Sequence, residues 1–307
     1  MSGSRELRWI EVGTLATGLP LRIAVHDIRG ARPGPTVGIT ASVHGDEVAP
    51  VEALRRLLAE IDPDEVAGRL LVAPVVNPLA FQAHMRHTPQ DMQNLNRVFP
   101  GDPDGWLTEQ LGRTFIEQFL DGLDVLLDLH AGGAMATVDY AYVENDEALS
   151  RTFDTPFLYR GPGYQGTLSA EAVKRDIRCV VTELGGGLLA DEQYAARTLA
   201  GLKNALRHVG MLPGEVVDFG PKMVIDELAV IRPHHGGLLV PAVGLDQLGK
   251  SVPGGTLLGT VVNAQTFETL EEIRAPFEES LLVLLRGVTT RIESGDYAYM
   301  IGRGGAD

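Results

Sequence analysis

Cysteine is nearly absent from the sequence, with Cys179 the only one in 307 residues. One cysteine excludes an internal disulfide framework and suits a reducing compartment. Long apolar runs are absent too. No stretch reaches the length of a membrane span, and residues 1–11 carry mixed charges without the apolar core of a signal peptide. These absences predict a cytoplasmic protein with no membrane partner.

Basic residues are outnumbered by acidic ones, 26 against 41, and the net charge is −15. Nucleic acids and anionic membranes both favour clustered Lys and Arg, so the sequence predicts neither as a partner. The chain is 44% hydrophobic and 22% charged, an ordinary globular balance that is long enough for one large domain and a small one. The sequence does not decide whether the chain forms a homo-oligomer.

The most informative stretch is residues 41–47, Ala-Ser-Val-His-Gly-Asp-Glu. It follows an apolar run at 36–40 that predicts a buried strand, and it precedes a predicted helix at 48–58. Open α/β sheets bind ligands at the carboxyl ends of their strands. His44 and Glu47 lie three residues apart there and could share a divalent metal ion. The alternative is a helix-start carboxylate favoured by the helix dipole.

The segments on either side of this stretch predict the surrounding sheet. Residues 30–35 are rich in Gly and Pro and predict a turn. Residues 69–78 predict a second buried strand that Asn77-Pro78 ends. Strand, helix and strand together form the parallel crossover unit, which predicts an α/β domain.

Two later strands also end in polar side chains. Residues 124–130 predict a strand in which Asp128 and His130 point to the same side, because side chains alternate along a strand. Asp128 could orient a metal-bound imidazole or satisfy backbone donors, and the sequence does not decide between these roles. Residues 178–184 predict a buried strand containing Glu183. A carboxylate in so apolar a strand needs a partner or a raised pKa.

The composition changes after residue 212, where short β-like runs alternate with Gly and Pro. We therefore predict an α/β domain at 1–213 and a small β domain at 214–307. The second domain is similar to the barrel-sandwich domains that carry biotin or lipoate, but residues 275–279 offer no Lys at a hairpin tip. A carrier role is not expected. The clearest β-like runs are 238–240, 257–262 and 281–286.

Four residues at predicted strand ends form a constellation, because the strand ends of one sheet converge in space. His44, Glu47 and His130 make the set of two His and one carboxylate that is typical of catalytic zinc sites, with one zinc ion per chain and one position left for water. Zinc lowers the pKa of that water to about 7. Glu183 would then take the water's proton and pass it to the leaving amine.

Positive charge near this constellation comes from the polar loop at 85–103. Arg86 and Arg97 are candidates for oxyanion stabilisation and for binding a substrate carboxylate, and Asn96 would add a neutral donor. The alternative is a solvated loop with its Arg side chains at the surface. Apolar residues within 94–101 favour an ordered loop.

Four segments in this order resemble the succinylglutamate desuccinylase/aspartoacylase family, a branch of the zinc carboxypeptidase fold. The likeness spans roughly residues 44–187. It implies an α/β fold with a zinc-carboxypeptidase-like mixed sheet flanked by helices, and a small C-terminal β domain of the barrel-sandwich type. The segments are His44-Gly45-Asp46-Glu47, Asn94-Leu95-Asn96-Arg97, Asp128-Leu129-His130 and Glu183-Leu184-Gly185-Gly186.

The resemblance also implies a role for each candidate residue. Many members have Asp where this chain has Asn94, so the charge that such a residue would give to a metal-binding histidine is missing here. The implied roles are zinc binding by His44, Glu47 and His130, acid–base chemistry by Glu183, carboxylate binding by Asn96 and Arg97, and polarisation of the scissile carbonyl by Arg86.

The sequence as a whole predicts a zinc-dependent hydrolase of linear amide C–N bonds. Its substrate would be a small molecule with a free carboxylate, either an N-acyl amino acid or an acylated diamino acid, from which it removes the acyl group. One alternative is a metallocarboxypeptidase. Another is a non-catalytic zinc-binding module on the same scaffold, for which a missing ligand or base would be expected. All four positions are filled.

Overall fold

The computed structural model describes residues 2–186 and 191–303, so Gly187, the last residue of the predicted family segment, lies outside the described residues. The chain divides into two units. Unit 1 comprises residues 1–134, 141–154 and 162–221, and unit 2 comprises residues 135–140, 155–161 and 222–307. The division into domains at 1–213 and 214–307 stays a prediction.

Helices and strands alternate in the first two thirds of the described chain, and strands dominate the last third. The helices are α1 Ala49–Glu60, α2 Pro78–Ala83, α3 Leu107–Phe115, α4 Glu147–Ser150, α5 Leu168–Val173 and α6 Glu192–His208, with 3-10 turns at Leu95–Arg97 and Leu245–Gln247 and a π-helical turn at Ile116–Leu120. The strands are β1 Ser4–Thr14, β2 Pro20–Arg29, β3 Arg32–Ala41, β4 Ala67–Ala73, β5 Val125–His130, β6 Thr137–Val143, β7 Phe157–Tyr159, β8 Arg178–Gly186, β9 Met223–Ile225, β10 Leu228–Ile231, β11 Gly237–Pro241, β12 Ser251–Pro253, β13 Leu257–Val262, β14 Thr269–Arg274, β15 Glu279–Leu285, β16 Thr290–Ile292 and β17 Tyr299–Arg303.

A mixed sheet in unit 1 carries the candidate site. Its strand order is β1-β2-β4-β3-β5-β8. The first two pairings are antiparallel, and β4, β3, β5 and β8 run parallel. Parallel strands are buried on both faces and therefore read as continuous apolar runs, as β5 does with every residue buried. The carboxyl ends of β3, β5 and β8 consequently meet at one edge, with His130 in register with Glu183.

The predicted turn at 30–35 is wrong, because β3 already begins at Arg32. Proline disfavours a strand only where its missing N–H is needed for pairing, and its fixed φ suits extended backbone. Pairing between β3 and β4 has a register shift between Arg32 and Thr36, the part of β3 that contains Pro33 and Pro35. The two prolines therefore occupy an interruption in the ladder within an extended strand.

Unit 2 is built from antiparallel strands. β15 pairs with β17 and β12, and Thr137 and Val138 of β6 pair with its last residues. A second sheet has the order β14-β13-β11-β16. The buried side chains include Leu239, Leu258 and Tyr299. The three predicted β-like runs fall in β11, β13 and β15, as expected for a small β domain.

Among the described residues, no helix combines the length and the apolar character that a helix needs to cross a bilayer.

Candidate metal centre and substrate site

The turn between β3 and α1 carries His44 and Glu47, and close backbone packing fixes its path. The Gly45 N–H donates to the Met85 carbonyl at 2.9 Å. A Cβ atom on Gly45 would lie 1.9 Å from the carbonyl carbon of Ala80, so only glycine fits at this point. The His-Gly-Asp-Glu segment therefore owes its glycine to a close approach between two backbones.

Two hydrogen bonds connect this turn to the segment that follows β5. The Ala131 N–H donates to Glu47 Oε2 at 3.3 Å, and the Ala134 N–H donates to Asp46 Oδ2 at 3.0 Å. Both carboxylates of the turn thus accept from backbone just beyond His130. The arrangement holds the ends of two neighbouring parallel strands in a fixed relation.

His44, Glu47 and His130 come together at these strand ends. Their potential ligand atoms all lie within 4.8 Å of one another. Glu47 Oε1 is 2.7 Å from His44 Nδ1, and Glu47 Oε2 is 3.0 Å from His130 Nδ1. The three residues are 2%, 1% and 2% exposed in chain order. This cluster could hold a metal ion.

The second ring nitrogen of His44 faces a neutral side chain. Asn94 Oδ1 lies 3.2 Å from His44 Nε2 and also accepts the Asn96 N–H at 2.9 Å. The backbone donor requires an acceptor, so the Asn94 oxygen faces the ring and the hydrogen of a neutral imidazole sits on Nε2. Burial, together with the positive charge of Arg86, lowers the pKa of His44 to about 4. With hydrogen on Nε2, a neutral His44 would offer its Nδ1 lone pair to a metal ion held together with Glu47.

His130 has a charged partner instead. Asp128 Oδ2 lies 3.2 Å from His130 Nε2, and the Thr40 hydroxyl donates to Asp128 Oδ1 at 2.6 Å. Burial opposes charge on the ring, but Asp128 and Glu47 raise the pKa of His130 well above its usual value. With Nε2–H bonded to Asp128, the Nδ1 atom of His130 also faces Glu47.

The donor set fits a divalent cation. Burial opposes the charged form of Glu47, but His44 and His130 hold its pKa below the ordinary value, so the carboxylate is ionised. The Nδ1 atoms of the two rings and the oxygens of this carboxylate converge, with the potential ligand atoms within 4.8 Å of one another. A divalent cation that binds here would displace the protons that the histidines share with Glu47. Two imidazole nitrogens and one carboxylate are ligands that zinc accepts.

Glu183 lies beside this cluster on β8, in register with His130. Its side chain is half-buried. Burial and the nearby charge of Glu47 raise the pKa of Glu183 to about 8, against the opposing effect of His130. The carboxyl group can therefore hold and release a proton near neutral pH, as the apolar character of its strand predicted.

Arg86 reaches the cluster from the loop after α2. Its Nη1 donates to Glu47 Oε1 at 3.3 Å, while its side chain keeps 42% of its surface exposed. The guanidinium thus stands at the boundary between the buried cluster and solvent.

Asn96 and Arg97 lie in the 3-10 turn Leu95–Arg97. The Leu168 N–H donates to Asn96 Oδ1 at 2.9 Å, which orients the amide so that Nδ2 lies 3.5 Å from His130 Nε2. Asn96 therefore presents its amide donors beside the His130 ring.

Arg97 is clamped by its neighbours. Its Nη1 donates to the Asn96 carbonyl at 2.6 Å, and its guanidinium lies 4.2 Å over the Tyr164 ring. A Cβ atom on Gly166, which has φ of +72°, would lie 2.2 Å from the Arg97 carbonyl oxygen. Stacking and backbone contact together restrict the orientation of the guanidinium.

All seven candidate residues lie in unit 1. His44, Glu47, His130 and Arg86 are in contact, Glu183 adjoins His130, and Asn96 adjoins its ring. The roles of these residues remain predictions. The structure also brings Tyr164 onto Arg97, a contact that no sequence pattern predicted. No sequence pattern pointed to Thr40, whose hydroxyl is a partner of Asp128.

Comparison with known families gives a match over residues 33–209, to the succinylglutamate desuccinylase/aspartoacylase catalytic domain. One relative is an N-alpha-acetyl-L-2,4-diaminobutyric acid deacetylase of Halomonas elongata. It is 34% identical over 244 residues, which cover 74% of this chain and 70% of the relative.

Solved structures give the same result over nearly the whole chain. A succinylglutamate desuccinylase from a Silicibacter species has a TM-score of 0.86 and 28% identity, covering 99% of this chain and 95% of its own. The product-bound ectoine utilization protein EutE of Ruegeria pomeroyi also has a TM-score of 0.86, with 27% identity, covering 98% of this chain and 95% of its own. These likenesses confirm the predicted fold class. The chain belongs to the succinylglutamate desuccinylase/aspartoacylase family.

Proposed function

We propose that this protein is a zinc-dependent amide hydrolase that removes the acyl group from a small N-acyl amino acid, in particular an acylated diamino acid. The observation that carries the proposal is the convergence of His44 Nδ1, His130 Nδ1 and the Glu47 carboxylate beside a carboxyl group of raised pKa. Metal-assisted amide hydrolysis requires at least a metal site and a proton-transfer group next to it. One zinc ion per chain is expected.

Zinc in this site would polarise the scissile carbonyl and lower the pKa of a water molecule. Side chains of the protein perform the proton transfer and stabilise the oxyanion. Glu183 accepts the proton of the attacking water and donates it to the leaving nitrogen, for which a pKa near neutrality is suitable. Arg86, next to Glu47 and open to solvent, stabilises the oxyanion that develops on the acyl oxygen.

Asn96 and Arg97 would hold the substrate carboxylate. A guanidinium binds a carboxylate with two parallel hydrogen bonds, and stacking on Tyr164 fixes the plane in which it can do so. The oriented Nδ2 group of Asn96 supplies a further donor. A free carboxylate at a fixed distance from the scissile bond is therefore the expected mark of the substrate.

The diamino acid class is supported by the relative from Halomonas elongata, whose substrate carries a carboxylate, an acylated α-nitrogen and a second, free amine. Cytoplasmic location remains part of the proposal and is based on the single cysteine. Cys179 is buried, as expected for a small apolar side chain in a strand.

Metal analysis and an amine-release assay test the proposal together. The purified protein should hold about one zinc per chain, and His44→Ala and His130→Ala should each retain much less. Zinc-loaded protein should release amine from N-acetyl diamino acids. Full zinc content in both variants would contradict the ligand assignment.

The Glu183→Gln variant separates a hydrolase from a non-catalytic zinc-binding module. It should keep its zinc and lose turnover by about 10²–10⁴-fold, the usual contribution of proton transfer. Unchanged turnover would remove Glu183 from the mechanism. Release of C-terminal residues from peptides, without hydrolysis of N-acyl amino acids, would favour the metallocarboxypeptidase alternative.

A further inference from the structure

A buried hydroxyl group joins the two strands that lead into the metal cluster. Thr40 of β3 lies in register with Asp128 of β5, and the Thr40 hydroxyl donates to Asp128 Oδ1 at 2.6 Å. Thr40 is fully buried, and Asp128 is 1% exposed. The proposed hydrolysis uses no group of Thr40, although this residue lies on the strand that leads into His44 and Glu47.

The two oxygens of the Asp128 carboxylate have different partners. Oδ1 accepts from the Thr40 hydroxyl, and Oδ2 lies 3.2 Å from His130 Nε2. Because a carboxylate is planar, a bond that fixes Oδ1 also fixes the direction in which Oδ2 points. Removal of the hydroxyl would leave Oδ1 buried and unpaired, which is unfavourable for a polar atom. The carboxylate would then be free to turn away from His130.

The His130 ring depends on Asp128 for its orientation. Among the described residues, the other hydrogen-bonding group at Nε2 is the Asn96 amide, whose Nδ2 lies 3.5 Å away. The Leu168 N–H occupies the Asn96 oxygen, so the amide offers Nε2 only a donor. Asp128 is therefore the acceptor for the Nε2 hydrogen. This bond sets the plane of the ring in which Nδ1 faces Glu47 Oε2 at 3.0 Å.

The pair formed by Thr40 and Asp128 is a polar contact in an otherwise apolar part of the sheet. Residues 37–41 of β3 pair with residues 125–129 of β5, and apart from this pair all of them are apolar. Continuous apolar runs carry no alternation that distinguishes one register from the next, whereas a buried hydrogen-bonded pair forms in one register only. A slip by one residue would move His130 about 3.3 Å along the strand and turn it to the other face.

We propose that Thr40 is a positioning residue whose hydroxyl holds the Asp128 carboxylate against His130 and thereby keeps His130 Nδ1 aimed at the metal position beside Glu47. The inference rests on the proposed function, because it concerns the zinc ion proposed there. Thr40 contacts neither the ion nor the substrate, and it acts through Asp128. Its hydroxyl should therefore control the zinc affinity of the site.

Competition with a chelator of known affinity tests the role of the hydroxyl. Thr40→Val removes the hydroxyl and nearly keeps the shape of the side chain. It should weaken zinc binding by about tenfold, as is usual when a partner of a metal ligand is lost. Thr40→Ser keeps the donor, so it should bind zinc nearly as tightly as the unaltered protein. Unchanged affinity in Thr40→Val would overturn the assignment.

Thr182→Val is the matched control. Thr182 is a fully buried residue of the neighbouring strand β8, and its hydroxyl has no hydrogen-bond partner among the described residues. The control should leave the zinc affinity unchanged. Melting temperatures of the metal-free variants show whether each is folded. An equal loss of affinity in Thr182→Val and Thr40→Val would contradict a specific role for the bond to Asp128.

A double-mutant cycle with Asp128 separates positioning from general stabilisation of the sheet. If Thr40 acts through Asp128, then Thr40→Val should add little to the weaker zinc binding of Asp128→Asn. Fully additive losses of zinc affinity would refute this route. A melting temperature that falls in Thr40→Val at unchanged zinc affinity would show a merely structural role.

The His130 ring provides a readout in the metal-free protein, which keeps this inference separate from the proposed function. The Nε2–H held by Asp128 should give a downfield proton resonance by NMR, identified by its loss in Asp128→Asn. Thr40→Val should shift or broaden this resonance, and Thr40→Ser and Thr182→Val should keep it. An unchanged resonance in Thr40→Val would refute the role of Thr40 whether or not zinc binds. Absence of zinc binding by the unaltered protein would contradict the proposed function, and the resonance would still decide whether Thr40 positions His130.

Discussion

At the scale of single residues, the two histidines of the cluster differ in the partner of Nε2. His130 faces the Asp128 carboxylate, and His44 faces the Asn94 amide oxygen. A carboxylate partner makes an imidazole a stronger donor to a metal ion, because it stabilises the positive charge that the ring gains. His44 should accordingly be the weaker of the two metal donors.

Exchange of these partners should change the metal affinity in opposite directions. We expect Asn94→Asp to strengthen zinc binding by about ten- to a hundredfold, and Asp128→Asn to weaken it by a similar factor. Competition with a chelator of known affinity would measure both. Equal affinities in the two variants and the unaltered protein would show that the Nε2 partners do not control the metal.

Arg97 gives a second prediction at this scale. Arg97→Lys keeps the charge but loses the planar fork, so kcat/KM should fall by about ten- to a hundredfold. A substrate with an amide group in place of its carboxylate should show a similar fall in kcat/KM with the unaltered protein. It should lose little more with Arg97→Lys, because the two changes remove the same contact. The values of kcat/KM for both substrates with both proteins complete a double-mutant cycle. Additive losses would mean that Arg97 does not touch the carboxylate.

At the scale of secondary-structure elements, the strands that carry the cluster were predictable and the loops around it were not. Residues 36–40, 124–130 and 178–184 are continuous apolar runs, a local signal that the burial of parallel strands produces. The edge strand β1 was missed, since only Ile10 of its eleven residues is buried and its charges are mixed. An exposed strand carries little alternation to detect.

The contacts around Asn96 and Arg97 escaped prediction for a different reason. The Leu168 N–H that orients Asn96 lies 72 residues away in the sequence. The Tyr164 ring on Arg97 also comes from the segment just before α5. No short-range pattern encodes such contacts, because they depend on how one loop packs on another. The sequence therefore predicted the convergence of His44, Glu47 and His130 far better than the contacts around Asn96 and Arg97.

Substitution of Gly166 tests whether the backbone contact between its loop and Arg97 matters. Gly166 and Gly210 have similar positive φ values, +72° and +77°, but only Gly166 adjoins another backbone. Gly210→Ala should cost about 1–2 kcal/mol of stability from the left-handed backbone alone. Gly166→Ala should cost more and also lower kcat/KM, because the new methyl group pushes against Arg97. Chemical denaturation and steady-state kinetics would measure both, and equal effects of the two variants would argue against the contact.

At the scale of the whole molecule, a metal ion that binds only the folded chain stabilises it by mass action. Free zinc at a thousand times its dissociation constant would add about 4 kcal/mol to the free energy of unfolding. Treatment with a chelator should therefore lower the melting temperature, and added zinc should restore it. His44→Ala is the control, and its melting temperature should respond much less to zinc. An identical response in the variant would point to metal binding elsewhere.

The distance along the chain between the cluster's members also bears on how the protein is made. Glu47 is bonded to a histidine that follows it by 83 residues. A nascent chain on the ribosome therefore exposes His44 and Glu47 long before His130 is translated, and two donors alone fall short of the three that catalytic zinc sites use. Capture of the proposed zinc ion would therefore have to wait until β5 has been synthesised and paired with β3. Loading of the proposed metal would thus be tied to the later part of translation, when the sheet that carries the third donor is already in place.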